Sequence, residues 1–307
     1  MYNEEYKKRY LEDVKGKNAN IVNYMTVQFN KIEPTEIELG KDLYDFSVTE
    51  LTDYYKSLYT ASLETLMVMN NQFSNYISYS LQNNLVGDCL NHCTEIDDII
   101  LYKCINIGLA QKKIYSREEL LRIADNFVNP YEKYIVLALF EGICGENMSD
   151  IANLTEDNFR NGKVYLPSGK IFEVSKELID VMKLAANEFT YWAHKKDESY
   201  TEYSFKDGDP KIIKEMYNSS NGGSPTHDRR RVYDRLMKIA KANQLSGLSA
   251  KGLLESGRIE MIKSYMKEDG DKDVRSVISR HKEDIEYRYG KITSVPRYII
   301  KYGQFFE

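Results

Sequence analysis

Residues 139–159, "LFEGICGENMSDIANLTEDNF", carry most of the information about the fold. They end the apolar segment "PYEKYIVLALF" (130–140), break at a glycine-bounded turn, and lead into "FRNGKVYLPSGKIFEV" (159–174). An apolar segment without a polar face predicts a buried helix, and two β-rich runs flanking "PSG" predict a β-hairpin. The turn holds Cys144 and Gly145, and no basic residue lies between Lys133 and Arg160.

Upstream of this stretch the sequence predicts helices. Ser47 with Glu50 is a capping box, and so is Ser116 with Glu119. A short polar stretch separates the two helical regions and predicts a linker at 109–114. The predicted organisation is a helical domain at 1–108 and a second domain at 115–307. After the hairpin the sequence again predicts helices, among them "KELIDVMKLAANEFTYWAHKK" (176–196) and "DKDVRSVISRHKEDIEYRYG" (271–290). The predicted fold class is mainly α with a small β-hairpin.

Composition favours a globular protein that works in the cytoplasm. Apolar residues make up 42% of the 307 residues and charged residues 29%. No apolar run approaches the roughly 18 residues that cross a bilayer, so no membrane partner is expected. The 4 cysteines do not form a disulfide framework. No cofactor is expected either.

The segment "CLNHC" (89–93) contains residue types that bind zinc. Cys89, His92 and Cys93 could donate to zinc, but a fourth ligand is missing and the spacing is not that of a zinc finger. The sequence therefore favours a partly buried helix end there, with no metal.

Charge is distributed unevenly along the chain. The net charge is −5, yet residues 226–307 contain 18 Lys and Arg against 12 Asp and Glu, so the remainder carries −11. A basic C-terminal third can present a positive face to phosphate even when the whole molecule is acidic. Ordinary solvated helices would give the same pattern, and charge alone does not decide between the two.

Four motifs occur in the order found in the tyrosine recombinases, the phage integrase family. "YSREELLRIADNF" resembles the helix that opens their catalytic domain, and "LALFEGICGENMSDIANLTEDNF" resembles the stretch with their first arginine. "LSAKGLLESGRIEMIKSYM" resembles their second signature box, and "VISRHKEDIEYRYG" resembles the segment that ends in the nucleophilic tyrosine. The resemblance spans residues 45–290 and implies a core-binding-like N-terminal domain followed by an integrase catalytic-like domain.

The resemblance also implies a catalytic chemistry, in which two arginines and a histidine or lysine hold the scissile phosphate while a hairpin lysine protonates the leaving oxygen. The corresponding positions here are Cys144, Leu254, Lys251 and Pro167, with His281 at the second histidine and Tyr289 near the nucleophile. Both arginines and the lysine are replaced. The resemblance therefore implies a catalytically inactive member.

A member without catalysis is still expected to bind double-stranded DNA. The candidate phosphate contacts are the basic residues at the start of the helix after "SSNGGSP" and around the degenerate boxes: Arg229, Arg230, Arg231, Arg235, Lys251, Arg258, Lys263, Lys170 and Arg280. The alternative for the four arginines that begin the helix is a solvated charged face paired with Asp228 and Asp234, and for the other residues it is an ordinary surface charge.

The predicted function is a sequence-specific transcriptional regulator. Degenerate integrase boxes in a chain rich in Lys, Asn, Ile and Tyr resemble phage repressors of lysogeny, which implies occupation of operator sites. Two alternatives remain: an active recombinase with Tyr289 as nucleophile, and an accessory protein. The latter would use the aromatic tail "KITSVPRYIIKYGQFFE" for a partner or for self-association, or the tail folds back on its own domain.

Overall fold

The computed structural model describes residues 1–16, 19–194, 199–216, 225–245 and 247–306. The chain divides into two compact units, Met1–Ala110 and Gln111–Glu307. Both are mainly helical and the second also contains two small antiparallel sheets, which confirms the predicted fold class. Within the described residues, no helix combines the length and the apolar character needed to cross a bilayer.

The first unit is built from helices packed around an aromatic core. Their bounds are α1 Glu4–Lys15, α2 Ala19–Leu39, α3 Val48–Ser57, α4 Leu63–Gln82, α5 Asp98–Cys104 and α6 Ile107–Gln111, with short 3-10 helices at Leu43–Asp45 and His92–Glu95. The predicted capping box is confirmed: Ser47 Oγ accepts from the Glu50 amide at 3.3 Å, and Glu50 accepts from the Ser47 amide at 2.8 Å. Each of these amides, at the start of α3, lacks a partner within the helix and gains one from a side chain.

The second unit surrounds the predicted buried helix. The helices are α7 Arg117–Asp125, α8 Pro130–Phe140, α9 Ser149–Asn153, α10 Lys176–Ala186, α11 Pro225–Ala242, α12 Ala250–Asp269, α13 Val274–Arg280, α14 Lys282–Tyr289 and α15 Val295–Tyr302; 3-10 turns lie at Glu146–Met148, Glu156–Asn158 and Gly303–Phe305. Helix α8 is buried on all sides except at Pro130 and Lys133, as its uniform apolarity predicts. Helices α10, α12 and α11 pack around it.

The predicted hairpin is present and gains one strand. Strands β2 (Lys163–Tyr165) and β3 (Ile171–Glu173) pair antiparallel with Val164 opposite Phe172, and β1 (Phe159–Arg160) adds at the β2 edge. The hairpin tip is tied to α9, because Asp150 accepts from the amide and the hydroxyl of Ser168 at 2.9 and 2.7 Å.

One sequence prediction was wrong. The segment "KELIDVMKLAANEFTYWAHKK" reads as helix throughout, but the helix ends at Ala186 and β4 (Thr190–His194) follows, paired with β5 (Tyr200–Ser204). Tyr191 is 2% exposed and the adjacent Trp192 is 41% exposed, which is the alternation of a strand. β-branched and aromatic side chains fit a pleated surface better than a helix, and burial of Tyr191 decides the outcome.

The C-terminal segment forms two helices where the sequence predicts one. "DKDVRSVISRHKEDIEYRYG" forms α13 and α14 with a break at His281, where φ and ψ are −102° and 18°. The aromatic tail folds on its own unit: Tyr298 and Tyr302 on α15 are buried, and Phe305 and Phe306 pack beside them.

Candidate functional site

The turn after α8, the first half of α12 and the end of α14 line an open cavity of about 290 Å³, which we call the Tyr289 cavity. Its lining includes Cys144, Lys251, Leu254, Glu255, Arg258 and Tyr289. Positions that are far apart in the sequence therefore meet, and they include four of the six that the family resemblance identifies. Pro167 and His281 are not among the lining residues.

The turn that begins at Cys144 is unusually tight. Gly145 has φ +77°, and a Cβ atom there would lie 2.6 Å from the Asp150 backbone nitrogen. Asn147 and Met148 follow in left-handed conformation, with φ 52° and 62°. A left-handed conformation costs a non-glycine residue roughly 1–2 kcal/mol. The turn is held because the carbonyl of Cys144 accepts from the Asp150 and Ile151 amides at 3.1 and 3.3 Å.

The electrostatics at Cys144 connect the turn to the hairpin. Burial raises the pKa of the Cys144 thiol, and the Asp150 carboxylate raises it further, whereas the Met148 amide and the Lys170 ammonium oppose this. Cys144 is thus a protonated thiol near neutral pH, where the family has a cation. The Lys170 ammonium lies 5.7 Å from the centre of the Tyr287 ring, and its charge acts on the Cys144 thiol.

The hydroxyl of Tyr289 is directed at the backbone of α8. It donates to the Phe140 carbonyl at 3.0 Å. Burial raises the pKa of this phenol well above its ordinary value, and Arg288 and Arg258 only partly oppose the effect. The contact needs Gly257 on α12, because a Cβ there would lie 1.7 Å from the Phe140 carbonyl oxygen and 2.7 Å from the Tyr289 hydroxyl.

Arg258 lines the cavity but is bound to the protein. It is 7% exposed, and it donates to the Glu255 carboxylate at 3.1 Å and to the backbone carbonyls of Tyr289 and Gly290. Those carbonyls end α14 and have no helical partner. The side chain therefore closes the C-terminus of α14.

Arg288 was not identified from the sequence. Its Nε donates to the Glu141 carbonyl at 2.8 Å, its guanidinium lies 3.5 Å from the Glu141 carboxylate, and it stacks on Phe172 at 4.7 Å. Glu141 also accepts from the Ser175 amide at 2.9 Å and pairs with Arg117 at 3.5 Å. A signal was available, because a carboxylate at the end of an apolar helix requires buried partners.

The basic residues of α11 have different environments. The side chain of Arg229 lies outside the described residues. Arg230 is 80% exposed at its side chain and lies 3.6 Å from Asp234. Arg231 turns inward to Glu215 at 3.3 Å, and Arg235 stacks on Tyr191 at 4.2 Å.

The other candidates lie on α12 and around α13. Lys251 and Lys263 are exposed. Arg280 pairs with Asp269 and, at 3.1 Å, with Asp271. His281 stacks on Tyr265 with ring centres 3.9 Å apart and lies 2.9 Å from Asp269. These contacts fix the junction between α12 and α13.

The "CLNHC" segment holds its histidine with carboxylates. The ring nitrogens of His92 lie 2.6 Å from Asp88 and 2.6 Å from Glu95, and both carboxylates help to raise the pKa of His92, with the Glu95 hydrogen bond the largest cause. Cys93 is buried and Cys89 is exposed. Among the described residues there is no group of three His, Cys, Asp or Glu side chains placed to hold a metal ion.

A helical first unit, a buried helix leading into a hairpin, and a tyrosine at the end of a C-terminal helix define a tyrosine-recombinase-like protein with core-binding and catalytic-type domains. The chain belongs to the MrpR family: the model of the "MrpR, N-terminal core-binding domain" matches residues 1–82, and that of the "MrpR, C-terminal catalytic domain" matches residues 114–293.

Two individual proteins are similar to this chain. It is 25% identical over 313 residues to the "SPbeta prophage-derived uncharacterized protein YopR" of Bacillus subtilis (strain 168), covering 97% of this chain and 94% of the relative. A solved lambda integrase (75-356) dimer bound to a COC′ core site superposes with a TM-score of 0.42 at 12% identity, covering 99% of this chain and 95% of that one.

Proposed function

We propose that this protein is a sequence-specific DNA-binding regulator, a phage repressor that maintains lysogeny and does not cleave DNA. Support comes from membership of a family with a core-binding domain, from the prophage-derived relative, and from the basic C-terminal third of the chain. A protein that holds a duplex at an operator blocks transcription without further chemistry.

The observation that carries the loss of cleavage is the chemistry of the Tyr289 cavity. Phosphoryl transfer through tyrosine needs preorganised cations around the non-bridging oxygens. The cavity offers a protonated thiol at Cys144 and an apolar side chain at Leu254 in the two arginine positions. Removal of one such donor costs about 100- to 1,000-fold in rate, so two replacements are expected to abolish cleavage.

The arginines that do lie near Tyr289 are engaged elsewhere. Arg258 is bonded to Glu255 and to the end of α14, and Arg288 is bonded to Glu141. To reach a phosphate, each would leave a buried acceptor without its partner, which costs about 1–3 kcal/mol per group. The Tyr289 hydroxyl would also have to leave the Phe140 carbonyl.

The DNA-binding surface is proposed from the exposed cations of the second unit. Lys251 and Lys263 on α12 and Arg230 on α11 are exposed, and Lys170 stands beside the cavity. Arg229 and Arg280 remain proposed phosphate contacts, whereas Arg231, Arg235 and Arg258 pair inward and are proposed to support the surface rather than to contact phosphate. Phosphate contacts of this kind fix register on the duplex.

A suicide DNA substrate tests the absence of cleavage. The duplex carries the protein's own binding site with a nick placed so that any covalent complex is trapped. We expect the wild type and Tyr289→Phe to bind it equally and neither to form a protein-linked product on a denaturing gel. A linked product that is present in the wild type and absent in Tyr289→Phe would establish an active recombinase.

A genome-wide binding footprint tests the regulator. Clustered sites upstream of prophage genes are expected for a repressor, whereas one attachment-like site would indicate recombination. No DNA binding by the purified protein would indicate an accessory role through a protein partner.

A further inference from the structure

A second and larger cavity lies in the second unit, at the start of α8, along β4 and β5, and at the end of α11. Its volume is about 600 Å³, and we call it the Trp192 cavity. Small-molecule sites typically occupy roughly 300–1,000 Å³. Among the residues that the structure describes, none lines both this cavity and the Tyr289 cavity, and the proposed function does not use the Trp192 cavity.

The sheet supplies aromatic surface to this cavity. Tyr191 is buried in its wall, whereas Trp192 and Tyr200 line it while remaining 41% and 46% exposed. Trp192 pairs with Glu202 and Tyr200 pairs with His194, so the two exposed rings lie on the same face of the sheet. Large exposed rings beside a void offer a stacking surface for a planar group.

The acidic group in the wall is already compensated. Glu132 is 8% exposed, and its carboxylate accepts from the Tyr191 hydroxyl at 2.8 Å. The Arg235 guanidinium lies over the Tyr191 ring, 4.2 Å from its centre, and its charge acts on Glu132. Glu132 therefore presents little uncompensated negative charge to the cavity.

The positive charges at the opening of the cavity, in contrast, are not fully compensated. Lys238 and Lys241 line the cavity at the end of α11. Partial desolvation lowers the pKa of Lys238 and the nearby Arg235 charge lowers it further, while the Asp234 and Glu132 carboxylates only partly oppose this. An anion placed at this opening would offset the Arg235 charge and pair with both lysines. The balance of charge in the lining therefore favours a negatively charged ligand.

We infer that the Trp192 cavity binds a small planar organic anion, whose ring stacks on Trp192 and Tyr200 and whose phosphate or carboxylate pairs with Lys238 and Lys241. A nucleoside monophosphate and an aromatic carboxylate share this chemistry. The inference stands apart from DNA binding, because it needs neither the Tyr289 cavity nor a duplex.

The chain contains 1 tryptophan, so its fluorescence reports on this cavity. The full-length protein is titrated with AMP, with phenylacetate and with neutral adenosine, with excitation of Trp192. We expect saturable quenching by AMP or by phenylacetate at millimolar or lower concentration, and the more effective of the two identifies the anionic group. Adenosine should bind at least about tenfold more weakly, since it lacks the charge-assisted contact.

The double variant Lys238→Gln/Lys241→Gln should lower the affinity for the anion about tenfold or more, while Lys183→Gln, at an exposed lysine of α10 outside the cavity lining, should not. Quenching by adenosine equal to that by AMP, or quenching unchanged in the double variant, would overturn the inference. The absence of quenching by both anions would also overturn it. If the double variant in that case binds DNA more weakly than the wild type, Lys238 and Lys241 would be assigned to DNA binding.

Discussion

Arg258 shows how a single residue changes role with its contacts. It lies one helical turn beyond Leu254 on α12 and lines the Tyr289 cavity, where a guanidinium could stabilise a phosphate. Instead, three acceptors on Glu255, Tyr289 and Gly290 hold it. Its two terminal nitrogens are therefore engaged within the protein, which stabilises the fold, while its buried Nε has no hydrogen-bond partner among the described residues.

Replacement of Arg258 by alanine should therefore destabilise the second unit. The variant removes the cation paired with Glu255 and the side-chain donor to the Tyr289 and Gly290 carbonyls, so we expect a loss of about 3 kcal/mol in the free energy of unfolding. Urea unfolding followed by Trp192 fluorescence measures it. The exposed Arg275 is the matched control, and Arg275→Ala should change stability by less than about 0.5 kcal/mol. Equal effects of the two variants would contradict the structural role of Arg258.

Glu188 makes the stability of the second unit depend on pH. Burial raises the pKa of its carboxyl from 4.5 to about 7, although the Tyr131 amide donates to it at 3.1 Å. The folded protein thus binds this proton more tightly than the unfolded chain. The corresponding stabilisation is complete below pH 4.5 and is lost as the pH rises through about 7.

The variant Glu188→Gln keeps an acceptor for the Tyr131 amide and cannot ionise. We expect it to be more stable than the wild type at pH 8, by about 1–2 kcal/mol once solvent screening of this half-buried group is allowed for, and to show a flatter dependence between about pH 5 and pH 8. Urea unfolding of both proteins at about pH 5 and at pH 8, again followed by Trp192 fluorescence, measures the difference in stability. A variant less stable than the wild type at pH 8 would show that the charged form is the favoured one.

At the scale of the elements, the close approach of α12 to the end of α8 positions Tyr289. Gly257 makes this approach possible, because any side chain there would collide with the Phe140 carbonyl. The hydroxyl of Tyr289 occupies the same contact and satisfies that carbonyl. The glycine, the helix end and the tyrosine thus form one packing unit.

The substitution Gly257→Ala should separate the two helices. A Cβ 1.7 Å from a backbone oxygen leaves no room for a side-chain adjustment, so we expect a loss of about 3 kcal/mol in unfolding free energy. Gly16 is the control, since its φ is a right-handed −63° and a Cβ there would meet no atom of the described residues within 4 Å. Gly16→Ala should therefore stay within about 0.5 kcal/mol of the wild type in differential scanning calorimetry. If Gly257→Ala were as stable as the wild type, α12 and α8 would have to lie farther apart than the structure shows.

At the scale of the whole molecule, charge is separated along the chain. Residues 226–307, with 18 basic and 12 acidic residues, carry net +6 within a protein of net −5. Such an asymmetry orients an acidic protein on DNA through its basic part. The basic segment belongs to the second of the two units.

The triple variant Arg230→Ala/Lys251→Ala/Lys263→Ala tests the proposed surface. Each phosphate contact contributes about 0.9 to the slope of log affinity against log salt, so the slope should fall by roughly 3 and affinity should weaken for all sequences. Lys133, paired with Asp125 at 2.6 Å near the start of α8, is the matched control. Fluorescence anisotropy of labelled DNA at several salt concentrations measures both. An unchanged slope would remove these three residues from the interface.

The helical class, the capping box at Ser47, the buried α8 and the hairpin all follow from the amino-acid sequence alone. These features depend on local periodicity and turn chemistry, which neighbouring residues carry. Sequence reasoning failed at β4, where "TYWAH" continues a helical pattern and only the burial of Tyr191 against Tyr131 of α8 selects the strand. At the break between α13 and α14, His281 stacks on Tyr265 of α12, a partner that the local sequence around His281 does not indicate.

The arrangement of the site, in contrast, depends on tertiary packing. The resemblance could name Cys144, Lys251, Leu254 and Tyr289, but it could not say that they line one cavity or that Arg258 and Arg288 are committed to Glu255 and Glu141. Pairing of a charged side chain depends on which distant groups packing brings within about 4 Å, and Coulomb energy and desolvation both change with that distance. Residue types follow from the chain, whereas the partner of each charge follows only from the fold.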